Sequence, residues 1–258
     1  MFLFVAAFSA AMLQCSMNQV RAENNFLPPN NKLLLEALGQ MPRGGGYSVA
    51  SRANEALRNA VTASDGGLRV DPSRATPSYC SGATYLVLLK ALSLLQSSGA
   101  VQLTPGAVTA LRPAGQPDGT GVWGRWNANG PGTARLFYEL GLGPNFTDLS
   151  KALPGDFLKI FWNDGIGASE HGHSVIFLRT DWKDGVETVT FWSSNMPGGY
   201  GEKTVPRGRI RRMIFSRLEH PGAFAGLLSL PRSDAYLASL VHRSSTPEEM
   251  ARQCGISR

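Results

Sequence analysis

The hydrophobic rhythm of the chain changes at Pro154. Before it, apolar residues recur at three- and four-residue spacings or fill a whole run. After it come short β-branched and aromatic runs bounded by turn signals. In the first half, NKLLLEALGQM (31–41) predicts a short amphipathic helix stopped by PRGGG. SVASRANEALRNAVTAS (48–64) predicts a second, with Ser48 as N-cap and DGG as its stop. LRVDPSRATP (68–77) reads as extended, because each proline disfavours helix before it. The run ATYLVLLKALSLL (83–95) is apolar on nearly all sides, so it predicts a central buried helix. Ser78 is its expected cap, and Gly82 would let a neighbouring strand come close. Residues 97–132 read as a long Gly/Pro/Asn-rich connection holding GVWGRWNANGPG, followed by a short helix in TARLFYELGLG.

In the second half GDFLKIFWN, HSVIFLRTDW, ETVTFWSSN and RIRRMIFSRL predict four successive strands. SDAYLASLVHR and TPEEMARQCG predict two closing helices. Helices followed by consecutive strands imply an α+β fold with an antiparallel sheet. The expected organisation is a signal peptide over 1–22, a flexible lead-in over 23–32, one domain over 33–232 with an insertion at about 97–145, and a C-terminal helical appendage over 233–258.

Composition narrows the function classes. At 43% apolar and 17% charged residues the chain is globular. The net charge of +6 is scattered except for Arg207, Arg209, Arg211 and Arg212. Such a surface suits nucleic acid, anionic lipid or an anionic wall polymer equally; it reads first as a solvated surface and second as attraction to an anionic polymer, with no specific nucleic acid expected. The opening MFLFVAAFSAAML is too short to span a bilayer. With Val20 and Ala22 placed as a signal peptidase prefers, it predicts export to a secreted or periplasmic location without stable membrane insertion. Removal of that segment takes Cys15 away and leaves Cys80 and Cys254. In an oxidising compartment the two admit a disulfide, and with it a non-catalytic binding protein that uses the Trp loop for recognition.

Cys80 opens the central helix, where free N–H groups and the helix dipole favour a thiolate. A base must stand nearby, and His173 is the candidate: it opens a predicted strand and would lie on the face that the helix covers. The pair in Glu170-His171-Gly172-His173 suggests metal binding only weakly, since closed metal sites need more ligands; no metal and no cofactor are expected. On the next strand Val189, Phe191, Ser193 and Asn195 share a face, so Ser193 or Asn195 would reach the far ring nitrogen. Tyr79 adjoins the cysteine and is expected to bind substrate, with simple packing as the other reading. Trp123, Trp126, Asn127 and Asn129 are expected to wall a substrate groove, with plain core packing of the tryptophans as the other reading.

YCSGAT, then PGDFLKIF, then GHSVIFL resembles the ordered signature of NlpC/P60 and CHAP-type cysteine peptidases, over about residues 76–196. The resemblance implies a papain-like core in which the helix carrying the cysteine packs on a short antiparallel sheet. It implies a hydrolase of amide bonds in cell-wall peptides, with Cys80 as nucleophile and His173 as base. It makes Asp156 a structural residue of the strand-opening turn, and it places Ser193 and Asn195 as polar residues at the end of the following strand. An acyltransferase on the same fold is the alternative chemistry.

Overall fold

The apolar run becomes the axis of the molecule. A computed structural model describes residues 26–64 and 67–256. The expected signal peptide and Cys15 lie outside those residues. Eight α-helices are described: α1 Pro29–Gly39, α2 Ser51–Ala60, α3 Cys80–Ser97, α4 Pro105–Leu111, α5 Gly121–Asn127, α6 Gly132–Leu140, α7 Ala235–Ser239 and α8 Pro247–Gln253. Along α3, Leu86, Leu88, Leu89 and Leu92 are fully buried on different sides, as an all-apolar helix requires. Each such leucine contributes about 1.5–3 kcal/mol relative to exposure.

The strands are β1 Gly44–Gly45, β2 Val61–Ser64, β3 Gly67–Val70, β4 Asn145–Phe146, β5 Phe157–Phe161, β6 Gly172–Lys183, β7 Val186–Asn195, β8 Gly199–Pro206 and β9 Arg212–Ser216. Seven form one antiparallel sheet in the order β1-β8-β7-β6-β5-β9-β4; β2 and β3 form a separate hairpin. The fold is therefore α+β. Alternation along the strands serves two cores. Phe157, Ile176 and Trp192 pack with α3. Leu158, Ile160, Val175, Phe177 and Phe191 form a second cluster with Val189, Met213 and Phe215. His173 shares its face with Val175, so it lies on the second cluster's side, against Phe191 and Trp162. The expectation that α3 covers the His173 face is corrected: Ser174 and Ile176 take that face.

Several local expectations shift. The helix of 48–64 ends at Ala60, because β-branched Val61 and Thr62 pair with Val70 and Arg69 of β3. Its N-cap is Ala50, whose N–H donates to the Ser48 hydroxyl. Tyr79, not Ser78, caps α3, and the Ser78 hydroxyl bonds Ser194 instead. Gly82 faces the Tyr79 ring and Leu57, not a strand, and a Cβ there would make ordinary van der Waals contact with them. The expected flexible lead-in already contains the start of α1. There Asn31 is buried, donating from Nδ2 to Asp156 and to the Pro154 carbonyl. The stretch 97–132, read as a long connection, carries α4 and α5, and the expected helix after it is α6. The C-terminal segment is tied down by the Arg135–Asp234 ion pair at 2.8 Å and by the Ser245 N–H to Ile166 C=O bond. No helix among the described residues is long and apolar enough to cross a membrane.

Candidate active site

A cleft of about 730 Å³ opens where the first turn of α3 meets the ends of β5 and β6. Cys80 is half-buried in it. The first bond of the helix runs from the Ala83 N–H to the Tyr79 C=O, so the N–H groups of the preceding turn are left for the thiolate and for a ligand. Burial of the sulfur disfavours its anion. A hydrogen-bonding interaction with the His173 ring, the charge of that ring, the Ser174 backbone N–H and the Lys159 ammonium outweigh it and bring the thiol down to about 7. Cys80 meets His173 at the end of the sheet, not across its face, which is how residues on different sides become neighbours.

The ring is oriented from β7. His173 Nε2 lies 3.2 Å from Asn195 Oδ1. The Asn195 amide has no freedom to reverse, since its Nδ2 donates to the carbonyls of Gly201 at 2.8 Å and Ser193 at 3.2 Å. Oδ1 must accept, so Nε2 carries the proton and Nδ1 is left for the thiol. Sequence reasoning held Ser193 and Asn195 as equal candidates. The structure separates them. The Ser193 hydroxyl donates to the Ser174 carbonyl at 2.7 Å and is fully buried; it braces β6 and makes no bond to the ring.

The tryptophans do not wall the groove. Trp123 and Trp126 are 2% and 1% exposed, packed on Tyr85, with Trp126 also against Phe157. The Trp126 indole donates to the Ser81 carbonyl at 3.1 Å, so the helix takes their large apolar surface into the core. Asn127 and Asn129 do line the cleft, and the Ser81 hydroxyl donates to Asn127 Oδ1 at 2.6 Å. Tyr79 also borders the cleft, but it is nearly buried and its hydroxyl donates to Asn54 Oδ1. Asp156 accepts from Asn31, the Leu153 N–H and the Arg217 guanidinium, which locks the turn into β5.

Compared with protein-family models, curated proteins and solved structures, the chain matches none. The reading of the site therefore rests on its geometry.

Sequence reasoning missed Tyr47. It follows GGG, which reads as a helix stop. Those three glycines have φ of 67°, 81° and 77° and run against the turn before β8; a Cβ on Gly199 would collide with the Gly44 carbonyl. The strip then bridges Tyr47 to Ser78, two residues before the thiol. Burial first, then the neighbouring Cys80, through its charge and a hydrogen bond, push the phenol up to about 12. Tyr47 thus stays a neutral donor beside the sulfur. The tri-glycine was the available signal: three such residues together mark a close backbone approach.

Cys254 is a free thiol like Cys80. It is buried with Phe161, Ile166 and Met250, in a cluster separate from the cleft. The expected alternative of a disulfide between them is therefore corrected: the two thiols lie in separate places and are unbonded. No group of three or more His, Cys, Asp or Glu side chains among the described residues is arranged to hold a metal ion.

Proposed function

We infer that this chain is a cysteine hydrolase of papain-like construction that cuts amide bonds, with bacterial cell-wall peptides as the substrate class. The observation that carries the reading is the Cys80–His173–Asn195 line: a helix-mouth thiol lowered to about 7 beside an imidazole whose far nitrogen is held by a fixed amide. The substrate class comes from the CSG, GDF and GHS motifs and from the net positive charge, which favours an anionic wall polymer. Export from the cell belongs to the same proposal.

The chemistry follows from the groups present. The Cys80 thiolate adds to the carbonyl carbon, and the oxygen gains the charge. The Cys80 backbone N–H at the helix mouth and the hydroxyl of Tyr47, a neighbour of the sulfur, are the donors assigned to it in this reading. His173, protonated at Nδ1 by the thiol's proton, passes that proton to the amine nitrogen as the C–N bond breaks. A thioester to Cys80 remains. Water, deprotonated by His173, adds to it and releases the carboxylic acid, and the sulfur leaves as thiolate. Asn195 keeps the ring in the tautomer that both steps need. Asn127, Asn129, Tyr47 and Asn54 line the cleft and are the polar groups available to a peptide chain.

The test is purified peptidoglycan digested with wild type, Cys80→Ala and Cys80→Ser, with released amines and carboxylates counted by mass spectrometry. New amine and carboxylate termini from wild type alone support the reading. Full activity in Cys80→Ser removes it. Added hydroxylamine or glycine amide distinguishes hydrolysis from acyl transfer by the product formed.

A further inference from the structure

Glu170 ends the loop that leads into His173, and both its oxygens are engaged. Oε1 takes Lys159 Nζ at 2.6 Å. Oε2 accepts the Gly130 N–H at 2.5 Å and the Gly167 N–H at 2.9 Å. The two side chains are 12% and 6% exposed. An ion pair this dry adds little net stability, but losing one partner strands a buried charge, so it holds its geometry firmly. It joins three segments: strand β5, the turn after α5, and the loop before β6. Gly172 lies between the pair and the base. A Cβ there would stand 2.6 Å from both Glu170 Oε1 and Lys159 Nζ. Its backbone is not left-handed; what a methyl group there would meet is the two charged side-chain tips, which would have to part to admit it. In the ladder Lys159 stands opposite Ser174, whose N–H also interacts with the Cys80 sulfur.

We propose that the Lys159–Glu170 pair is a clamp that seats His173 against Cys80 by drawing these three segments together over Gly172. The proposal rests on reading Cys80 and His173 as nucleophile and base. Lys159 and Glu170 are positioning residues that act through the ring. A purely electrostatic role has the opposite sign. Removing the Glu170 charge strips a negative neighbour from the region of the thiol and favours the thiolate; releasing the clamp moves the imidazole away and disfavours it. The ionisable groups facing the thiol are His173, Lys159, Tyr47 and Tyr79, and those facing Glu170 are Lys159 and Asp118.

The experiment is the pH dependence of Cys80 alkylation by iodoacetamide, which needs no substrate, read on folded protein in a Cys254→Ser background. Wild type is expected to titrate at about 7. Glu170→Ala is expected to titrate higher, toward the ordinary thiol range, with alkylation at pH 7 down about tenfold. Gly172→Ala keeps both charges and is expected to shift the same way, which separates position from charge and serves if Glu170→Ala does not fold. Glu170→Gln retains acceptors for the two backbone bonds and is expected to lie between Glu170→Ala and wild type. Midpoints that stay at 7 or fall in Glu170→Ala and Gly172→Ala overturn the clamp and leave the Cys80–His173 reading intact. A wild-type midpoint in the ordinary thiol range overturns that reading, and the clamp with it.

Discussion

Cys80 and Cys254 are the same side chain at opposite kinds of helix end. Cys80 is the first residue of α3, where free N–H groups and the positive end of the dipole face the sulfur. Cys254 caps the C-terminal end of α8, where the dipole has the other sign. Both lose solvent, and burial alone raises both. At Cys80 the His173 ring, the Ser174 N–H and Lys159 reverse it, to about 7. At Cys254 burial dominates; Arg135 only partly offsets it, Asp234 adds to it, and the thiol is pushed up to about 12. Desolvation makes a thiol inert unless specific partners for the anion are built around it, and only one of the two sites has them.

The contrast breaks first at the sulfur. Cys80→Ser is expected to lower kcat on peptidoglycan peptides by about 10³-fold or more, while Cys254→Ser leaves kcat per folded molecule unchanged. Comparable losses in both would mean that Cys254 belongs to the chemistry. His173→Ala comes next. It removes the largest opposing influence while burial stays, so the Cys80 midpoint should rise above 7 and the alkylation rate at pH 7 should fall at least about tenfold. The sign is fixed: the thiolate of wild type is present above about pH 7 and lost as pH falls through it, so kcat/KM should rise across that pH. A midpoint still at 7 in His173→Ala would assign the low value to the helix end, the Ser174 N–H and Lys159 instead of the imidazole. Tyr47→Phe sharpens the picture further: if the phenol donates to the oxyanion, kcat should fall by roughly 10²-fold with KM little changed. An unaltered kcat confines Tyr47 to packing. The smallest effect is on stability. Cys254→Ser puts a hydroxyl into the cluster of Phe161, Ile166 and Met250 and should cost about 1–3 kcal/mol in denaturant unfolding.

Much of the frame is legible in the chain. Period-two alternation put His173 and Asn195 at strand ends on matching faces, and the all-apolar run marked α3. Strand β8 was missed because GYGEKTVP is glycine-containing and polar, with its middle residues exposed to solvent. The Trp segment misled for a different reason. Glycine, proline and asparagine around Trp123 and Trp126 resemble a surface loop, yet the glycines are there because other chain segments press on them: a Cβ on Gly124 or Gly132 would collide with the carbonyl of Pro117 or of Arg125. Composition reports such contacts only as an apparent lack of structure.

The amino-acid order alone determined the change from helices to strands at Pro154, that Cys80 opens the buried helix, and that His173 and Asn195 can face one another. Periodicity is a local property, so a few consecutive residues carry it. The tertiary structure decided which polar group holds the imidazole, that Tyr47 stands beside the sulfur, that Lys159 and Glu170 close over Gly172, and which of two thiols ionises near neutral pH. Each of these depends on desolvation and on charges from segments far apart in sequence, and the strength of such interactions is set by distances of a few ångströms that no local pattern records.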